Sequence, residues 1–236
     1  MAPFLTAVWQ NLILITYHLD PDFLADQLPA GLEPDIRDGR AFCSLVAFEF
    51  CHTRLKGIPI PFHLNFPEIN FRVYVRKGKK RGVYFIKELV PKYCIAAVAR
   101  RVYNEPYESI PMTVKVKEEA GQRIVRHDWY YDQQHYFLEF TGELKPALPS
   151  NDSTDHFFKE HEWGFGVNHK GQLMEYQVTH PEWHVFPLKT RFEKSIQFGA
   201  IYGSEWAFLN DQVPYHLAFA EGSAVAVFPA KVVQNE

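Results

Sequence analysis

Between Phe66 and Arg76 the chain reads FPEINFRVYVR, its most regular alternation of apolar and polar positions. Ile69, Phe71, Val73 and Val75 fall on one side. Glu68, Asn70, Arg72, Tyr74 and Arg76 fall on the other, because successive strand side chains point to opposite faces. The β-branched and aromatic content suits a strand, and Pro67 sits at the entrance, where a missing ladder donor is tolerated. The apolar side demands a core. The polar side meets either bulk water, as in a half-buried antiparallel sheet, or the interior of a barrel or cone. In the second case Glu68, Asn70 and Arg72 line a pocket.

The flanking pattern is mostly of the same kind. Val8 to His18 reads as a buried strand. Asp20 is placed to cap a short helix with Pro21 at its first position; Phe23, Leu24 and Leu28 face inward, and the helix stops at Pro29-Ala30-Gly31-Leu32. Asp38-Gly39 predicts a tight turn between Glu33–Ile36 and a central strand, Ala41 to Cys51. A Gly/Pro-rich loop, Lys56 to Pro61, leads into the alternating stretch. The basic run Arg76 to Arg81 then marks a hairpin turn into a strand over Gly82–Leu89. From Pro91 to Tyr103 the period changes to that of a helix, with Arg100 and Arg101 near its C-terminal end, where cations are favoured. Asn104 to Pro111 (NEPYESIP) breaks it.

Strand-like runs follow at Met112–Glu118, Gln122–Tyr131, Gln134–Glu143, Leu173–His180, His184–Phe192, Ala200–Leu209 and Val213–Val227. Ser153 caps a helix over Thr154–Glu162, and Trp163-Gly164-Phe165-Gly166 predicts a glycine-rich turn. Some ten strands with three short helices imply a mainly β (β-rich α+β) architecture, a barrel or curved sheet with helices plugging its ends.

Composition strengthens that expectation. Aromatic residues make up 16% of the 236 residues, and large rings suit sheets. No linker-like tract or repeat divides the chain, so residues 1–236 are expected to form one domain. A net charge of −3 gives no electrostatic footprint for nucleic acid. The basic turn carries no interleaved aromatics and reads as a solvated loop. Cys43, Cys51 and Cys94 form no CxxC pair, which fits a reducing, cytoplasmic setting. The apolar run at the N-terminus is too short to span a bilayer and reads as a strand, so no membrane association is expected.

Standard catalytic motifs are missing. His156 and His161 lie five apart, and Pro181 disfavours helical spacing between His180 and His184. No HExxH, nucleophile elbow, phosphate loop or dinucleotide fingerprint occurs. No metal or cofactor is therefore expected. What remains is a set of polar residues in aromatic surroundings: Glu68, Arg72, Arg100, Arg101 and His180, with Tyr103 and Tyr107 close in sequence to the arginine pair. A carboxyl in such a site has its pKa raised by desolvation or lowered by an arginine partner. Either suits proton transfer next to a carbonyl or carboxylate. A purely structural Glu–Arg pair is the alternative.

The segments DPDFLADQLPAGLEPD, FPEINFRVYV and NEPYESIPM, with the later LMEYQVTHPEWH, resemble the YqjF-like family of uncharacterised proteins in the acetoacetate decarboxylase-like superfamily. The resemblance spans nearly the whole chain. It implies a partly closed antiparallel β-barrel or cone, with the polar face of Phe66–Arg76 turned into its lumen. The decarboxylase works through a lysine Schiff base beside a second lysine. By alignment those two positions fall on Tyr107 and Glu108 here. A second family glutamate falls near Ser44 and an arginine near Gln10; of the catalytic set only Glu68 is kept. Lys115 and Lys117 read as a solvated strand face. The resemblance thus implies a small-molecule pocket protein or enzyme acting on a carbonyl or carboxylate compound without an imine. Glu68 is expected to be its proton-transfer group, with Asn70, Arg72, Arg100, Tyr107 and His180 contacting the ligand. A non-catalytic binding or assembly domain with an aromatic-filled interior is the competing expectation. A homo-oligomer is compatible with either.

Overall fold

The computed structural model describes residues 2–150, 153–159 and 161–233. Its first half runs β1 (Leu5–Leu19), α1 (Pro21–Gln27), β2 (Glu33–Pro34), β3 (Ala41–Leu55), β4 (Ile58–Pro59), β5 (Phe66–Lys77), β6 (Lys80–Val90) and α2 (Tyr93–Tyr103). The second half runs β7 (Tyr107–Ser109), β8 (Met112–Glu119), β9 (Gln122–Tyr131), β10 (Gln134–Glu143), α3 (Thr154–Lys159), β11 (Trp163–Val167) and β12 (Leu173–Thr179). It ends with β13 (Leu188–Ser195), α4 (Phe198–Tyr202), a 3₁₀ segment (Ser204–Asn210), β14 (His216–Val227) and β15 (Lys231–Val232).

β5 is hydrogen-bonded to β3 on one edge and to β6 on the other. From β3 the sheet continues through β1, β14, β12 and β11, and β11 pairs with β6 in parallel, which brings the ring back to its start. Closure is partial. At the seam β12 and β14 share only the register pairs Val178–Val227 and Thr179–Ala226. This is the partly closed, mainly β cone expected from the resemblance. A second sheet, in the order β13-β10-β9-β8, packs on the outside of the ring.

Local sequence explains the joints. Asp20 accepts hydrogen bonds from the Asp22 and Phe23 amides and so caps α1. Asp38 and Gly39 both adopt positive φ, as a two-residue turn with strand-matching twist requires. Arg100 and Arg101 occupy the last turn of α2, and Asn104 closes it in the left-handed conformation.

The outer face of β5 carries the main core. Ile69, Phe71, Val73 and Val75 are fully buried, together with Val125, Trp129, Leu138 and Phe140 of the second sheet. Phe71 is the hub of this contact. Its ring meets those of Phe198 (5.5 Å), Tyr202 (4.7 Å) and Trp206 (4.9 Å) from the C-terminal helical segment.

That segment corrects the strand expected over Ala200–Leu209. Phe198, Ile201, Tyr202, Trp206 and Leu209 are its buried residues. They recur at helical spacing, which their aromatic and β-branched character masks in the sequence. Trp163–Gly166 is likewise not a turn but part of β11. Its glycine serves close approach: a Cβ on Gly164 would lie 2.1 Å from the Tyr176 ring, and one on Gly82, the neighbour across β6, 2.2 Å from the Trp163 carbonyl oxygen. β7 forms inside the segment expected only to break a helix, by pairing in parallel with β6.

The core assignment makes a stability prediction. Phe71→Ala should lower the unfolding free energy by about 3–5 kcal/mol in urea titrations, while Phe62→Ala, at an 88% exposed position, should change it by less than about 0.5 kcal/mol. Equal effects would contradict this packing.

Candidate functional site

The inner face of β5 presents Glu68, Asn70, Arg72 and Tyr74 to the inside of the ring. The first three line a cavity of about 250 Å³, room for roughly eight water molecules at ~30 Å³ each. Its walls are aromatic and aliphatic, among them Trp9, Phe48, Phe50, Phe66, Phe85 and Trp183. Cys94 and Val98 of α2 line it and are exposed, which places the mouth beside that helix. The interior is therefore not packed solid, as the assembly-domain expectation required.

Three carboxyl groups converge on this cavity. Glu68, Glu88 and Glu105 are 3%, 2% and 7% exposed, so all three have given up bulk water. Glu88 pairs across the β5–β6 ladder with Asn70, and Tyr107 pairs with Glu88 across β6–β7. The β6–β7 pairing also fixes the turn that carries Glu105, through the Glu88 amide donating to the Pro106 carbonyl (3.1 Å). Asn70 Nδ2 donates to Glu68 Oε1 (3.1 Å), and the Tyr107 hydroxyl donates to Glu68 Oε2 (3.0 Å). The Tyr176 hydroxyl donates to Glu105.

Electrostatics follow from this crowding. Burial pushes the Glu68 carboxyl up to about 7, against the hydrogen bonds from Asn70 and Tyr107 and the charge of Arg72. Burial likewise raises Glu105 to about 7, with the Tyr176 bond opposing and the Glu68 charge assisting. Glu88 goes well above the usual carboxylate range, because burial is reinforced by the charges of Glu105 and Glu68. Glu88 shares a hydrogen bond with Glu105. Burial and the same three carboxylates push the Tyr107 phenol upward, so it stays a donor.

A second polar group borders the same cavity. His161 lines it, and its Nε2 donates to Asp35 Oδ2 (2.7 Å), which also accepts from Arg81 Nε (2.7 Å). Burial pushes Asp35 up, but the bonds and charges of His161 and Arg81 outweigh it and hold the carboxyl below its ordinary range. Burial lowers His161 in spite of the Asp35 bond, and the Arg81 and Arg72 charges add to the lowering, so the imidazole is neutral.

Of the residues singled out in the sequence, Glu68, Asn70, Arg72, Tyr107 and His180 all line the cavity. His180 stacks on Trp183 (4.6 Å) and tilts against Trp9 (5.7 Å). Arg100 is a correction. It is exposed, lies over the Tyr93 ring (5.9 Å) and is not among the lining residues, because the amphipathic α2 turns that position to solvent. The Tyr103 side chain lies outside the described residues. Lys115 and Lys117 are exposed on β8. The basic turn is taken up by the protein's own acids: Arg76 pairs with Glu33 (3.0 Å), Lys80 with Glu175 (2.5 Å) and Arg81 with Asp35. Among the described residues no helix is long and apolar enough to cross a membrane, and no cluster of three or more His, Cys, Asp or Glu is placed to hold a metal ion.

Sequence reading missed Glu88, Glu105, Tyr176 and His161. Glu88 was within reach: the Lys77–Lys80 turn sets the hairpin register, but a bulge between Phe71 and Arg72 shifts it. Glu105 sat in a segment read only as a helix breaker.

Residues 6–224 match the DUF2071 family, described as an uncharacterized conserved protein family, and the chain belongs to it. The protein YqjF of Bacillus subtilis (strain 168) is 24% identical over 177 residues, which cover 74% of this chain and 72% of that one. Among solved structures, acetoacetate decarboxylase from Legionella pneumophila aligns over 99% of this chain and 88% of its own, at 14% identity and a TM-score of 0.67. The enduracididine biosynthesis enzyme MppR, complexed with pyruvate, aligns over 99% and 92%, at 12% identity and a TM-score of 0.65. These likenesses show the acetoacetate decarboxylase-like fold.

The raised Glu68 carboxyl makes stability pH-dependent. A folded-state pKa near 7, above an unfolded value of 4.5, contributes stability that is complete below pH 4.5 and lost as pH rises through 7. Glu68→Gln does not titrate. Wild type should therefore lose stability relative to Glu68→Gln between pH 4.5 and pH 8, by a few kcal/mol at about 1.4 kcal/mol per pK unit. Urea titrations across that range check it; a constant gap would mean that Glu68 is an ordinary solvated carboxylate.

Proposed function

We propose that the cavity takes a small carbonyl compound and that Glu68 moves a proton to and from the carbon next to the carbonyl, with no covalent link to a lysine. The observation that carries this reading is a buried carboxyl that borders a mostly apolar cavity, is held in place by Asn70 and Tyr107, and is pushed by burial up to about 7. A base poised near the working pH is populated in both protonation states, and this is where general acid–base catalysis is most effective.

The step is balanced and needs no oxidant. Ionised Glu68 takes the α-proton and becomes the neutral acid; the carbonyl oxygen gains the electron pair as an enolate; the proton returns to carbon from Glu68. Tyr107 and Asn70 hold the Glu68 oxygens in place throughout. Glu88, pushed well above the usual carboxylate range by burial and by Glu105 and Glu68, limits the negative charge of the site. Arg72 supplies the compensating positive charge, which is felt at Glu68.

An imine mechanism has no support. Among the described residues no lysine lines the cavity. Tyr107 occupies one of the two positions where the family decarboxylase has lysine, and Glu108 at the other pairs with Lys87 (3.3 Å). The named relatives do support a carbonyl ligand: one is an acetoacetate decarboxylase and one binds pyruvate.

In D₂O, the protein should catalyse deuterium entry next to the carbonyl of methyl 4-oxopentanoate, followed by proton NMR. Glu68→Gln should slow this by about 10² or more with its near-UV circular dichroism unchanged. A variant that exchanges at the wild-type rate would remove Glu68 from the chemistry, and one that unfolds would make it a structural group. Borohydride added with acetoacetate should leave the protein mass unchanged; a trapped adduct would establish the imine route instead.

A further inference from the structure

The donors beside Glu88 serve another carboxyl. In the sheet register Glu88 of β6 stands between Asn70 of β5 and Tyr107 of β7. Asn70 Nδ2 donates to Glu68 Oε1, and the Tyr107 hydroxyl donates to Glu68 Oε2. A phenolic hydroxyl has one proton to give, so it cannot serve Glu88 as well. Glu88 Oε2 is left buried, with no hydrogen-bond partner among the described residues.

Asn70 repeats the pattern independently. The bond from its Nδ2 to Glu68 fixes which way the amide points, and Oδ1 on the other side is also buried and unpartnered among the described residues. Asn70 and Glu88 are each 2% exposed, and both line the cavity. They lie directly opposite each other on antiparallel strands, which turns them to the same side of the sheet. An amide oxygen and a carboxylate oxygen only accept, so what this pair lacks is a donor. A buried acceptor left without one is costly.

The charge around the pair is negative. The groups acting on Glu88 are Glu68 from β5, Glu105 from the turn before β7 and Tyr107 from β7. Glu105 in turn answers to Tyr176, Glu68 and Glu88. Arg72 is the one arginine or lysine among the described residues that lines the cavity, and its charge is felt at Glu68 and at His161. A cation beside Glu88 meets carboxyl groups and an aromatic wall, and both attract it.

We propose that Asn70 Oδ1 and Glu88 Oε2, with Glu105 beside them, form a site for the primary ammonium group of a small ligand. An ammonium brings several N–H donors and a positive charge, which matches two unpartnered acceptors in acidic surroundings. The site does not depend on proton transfer by Glu68. Where both hold, the substrate is a carbonyl compound that also carries a primary amine.

Calorimetric titration at neutral pH with 2-phenylethylamine, 2-phenylethanol, 3-phenylpropanoate and trimethyl(2-phenylethyl)ammonium tests the site. The first is an ammonium ion under these conditions; the others remove its charge, reverse it, or remove its donors. The amine should bind at least about tenfold tighter than the alcohol and the carboxylate, as hydrogen bonds to a charged group imply, and tighter than the quaternary ion. Glu88→Gln should abolish the preference for amine over alcohol while leaving alcohol affinity within about twofold. An alcohol, carboxylate or quaternary ion that binds as tightly as the amine, an amine preference that persists in Glu88→Gln, or no binding by any of them would overturn the site. The wild-type series decides the question by itself if Glu88→Gln fails to fold. Deuterium entry into methyl 4-oxopentanoate reads the Glu68 chemistry separately, so either claim can fail alone.

Discussion

β5 is hydrogen-bonded along both edges, to β3 and to β6, and so has no edge left for bulk water. Its apolar side is driven into the core shared with the second sheet and the C-terminal helical segment. Its polar side is thereby committed to the inside of the ring, whatever that side contains. Burying Glu68, Asn70 and Arg72 would be costly in an unstructured interior. Here Glu68 accepts from Asn70 on its own strand and from Tyr107 of β7, and the Arg72 guanidinium lies over the Tyr74 ring.

The ring also explains why three carboxyl groups can coexist with so little positive charge. Removed from water, they satisfy the local electrostatics by keeping protons instead of recruiting cations. Burial and mutual repulsion push Glu88 well above the usual carboxylate range and Glu68 and Glu105 up to about 7. Such a cluster is a costly way to stabilise a fold, since apolar residues of similar volume would fill the space without the desolvation penalty. All three carboxyl groups border the cavity directly.

Much of this was legible in the sequence because it is local. The alternation in FPEINFRVYVR, the Asp20-Pro21 cap and the Asp38-Gly39 turn each declare themselves within a few residues. The inward direction of β5 is not local, since a two-sided strand looks the same whether its polar face meets water or a lumen; only the family resemblance pointed inward. Glu88 was hidden by a one-residue bulge that shifts the hairpin register, and Glu105 by the prolines around it. His161 reached the site through a helix whose tertiary placement no spacing rule gives. Helical spacing in Phe198–Leu209 was masked by residues of high strand propensity, an instance of packing overriding intrinsic preference. Arg100 failed for the complementary reason: closeness in sequence to Tyr107 says nothing about which side of α2 it occupies.

The central claim is that Glu68 is a buried carboxyl carrying an exchangeable proton near neutral pH. It is tested most directly by ¹³C NMR of the glutamate carboxyl carbons, with Glu68 assigned by comparison with Glu68→Gln. The account predicts a Glu68 resonance that titrates with a midpoint near 7 and moves when a small carbonyl compound fills the cavity. A midpoint near 4.5, unaffected by ligand, would contradict it.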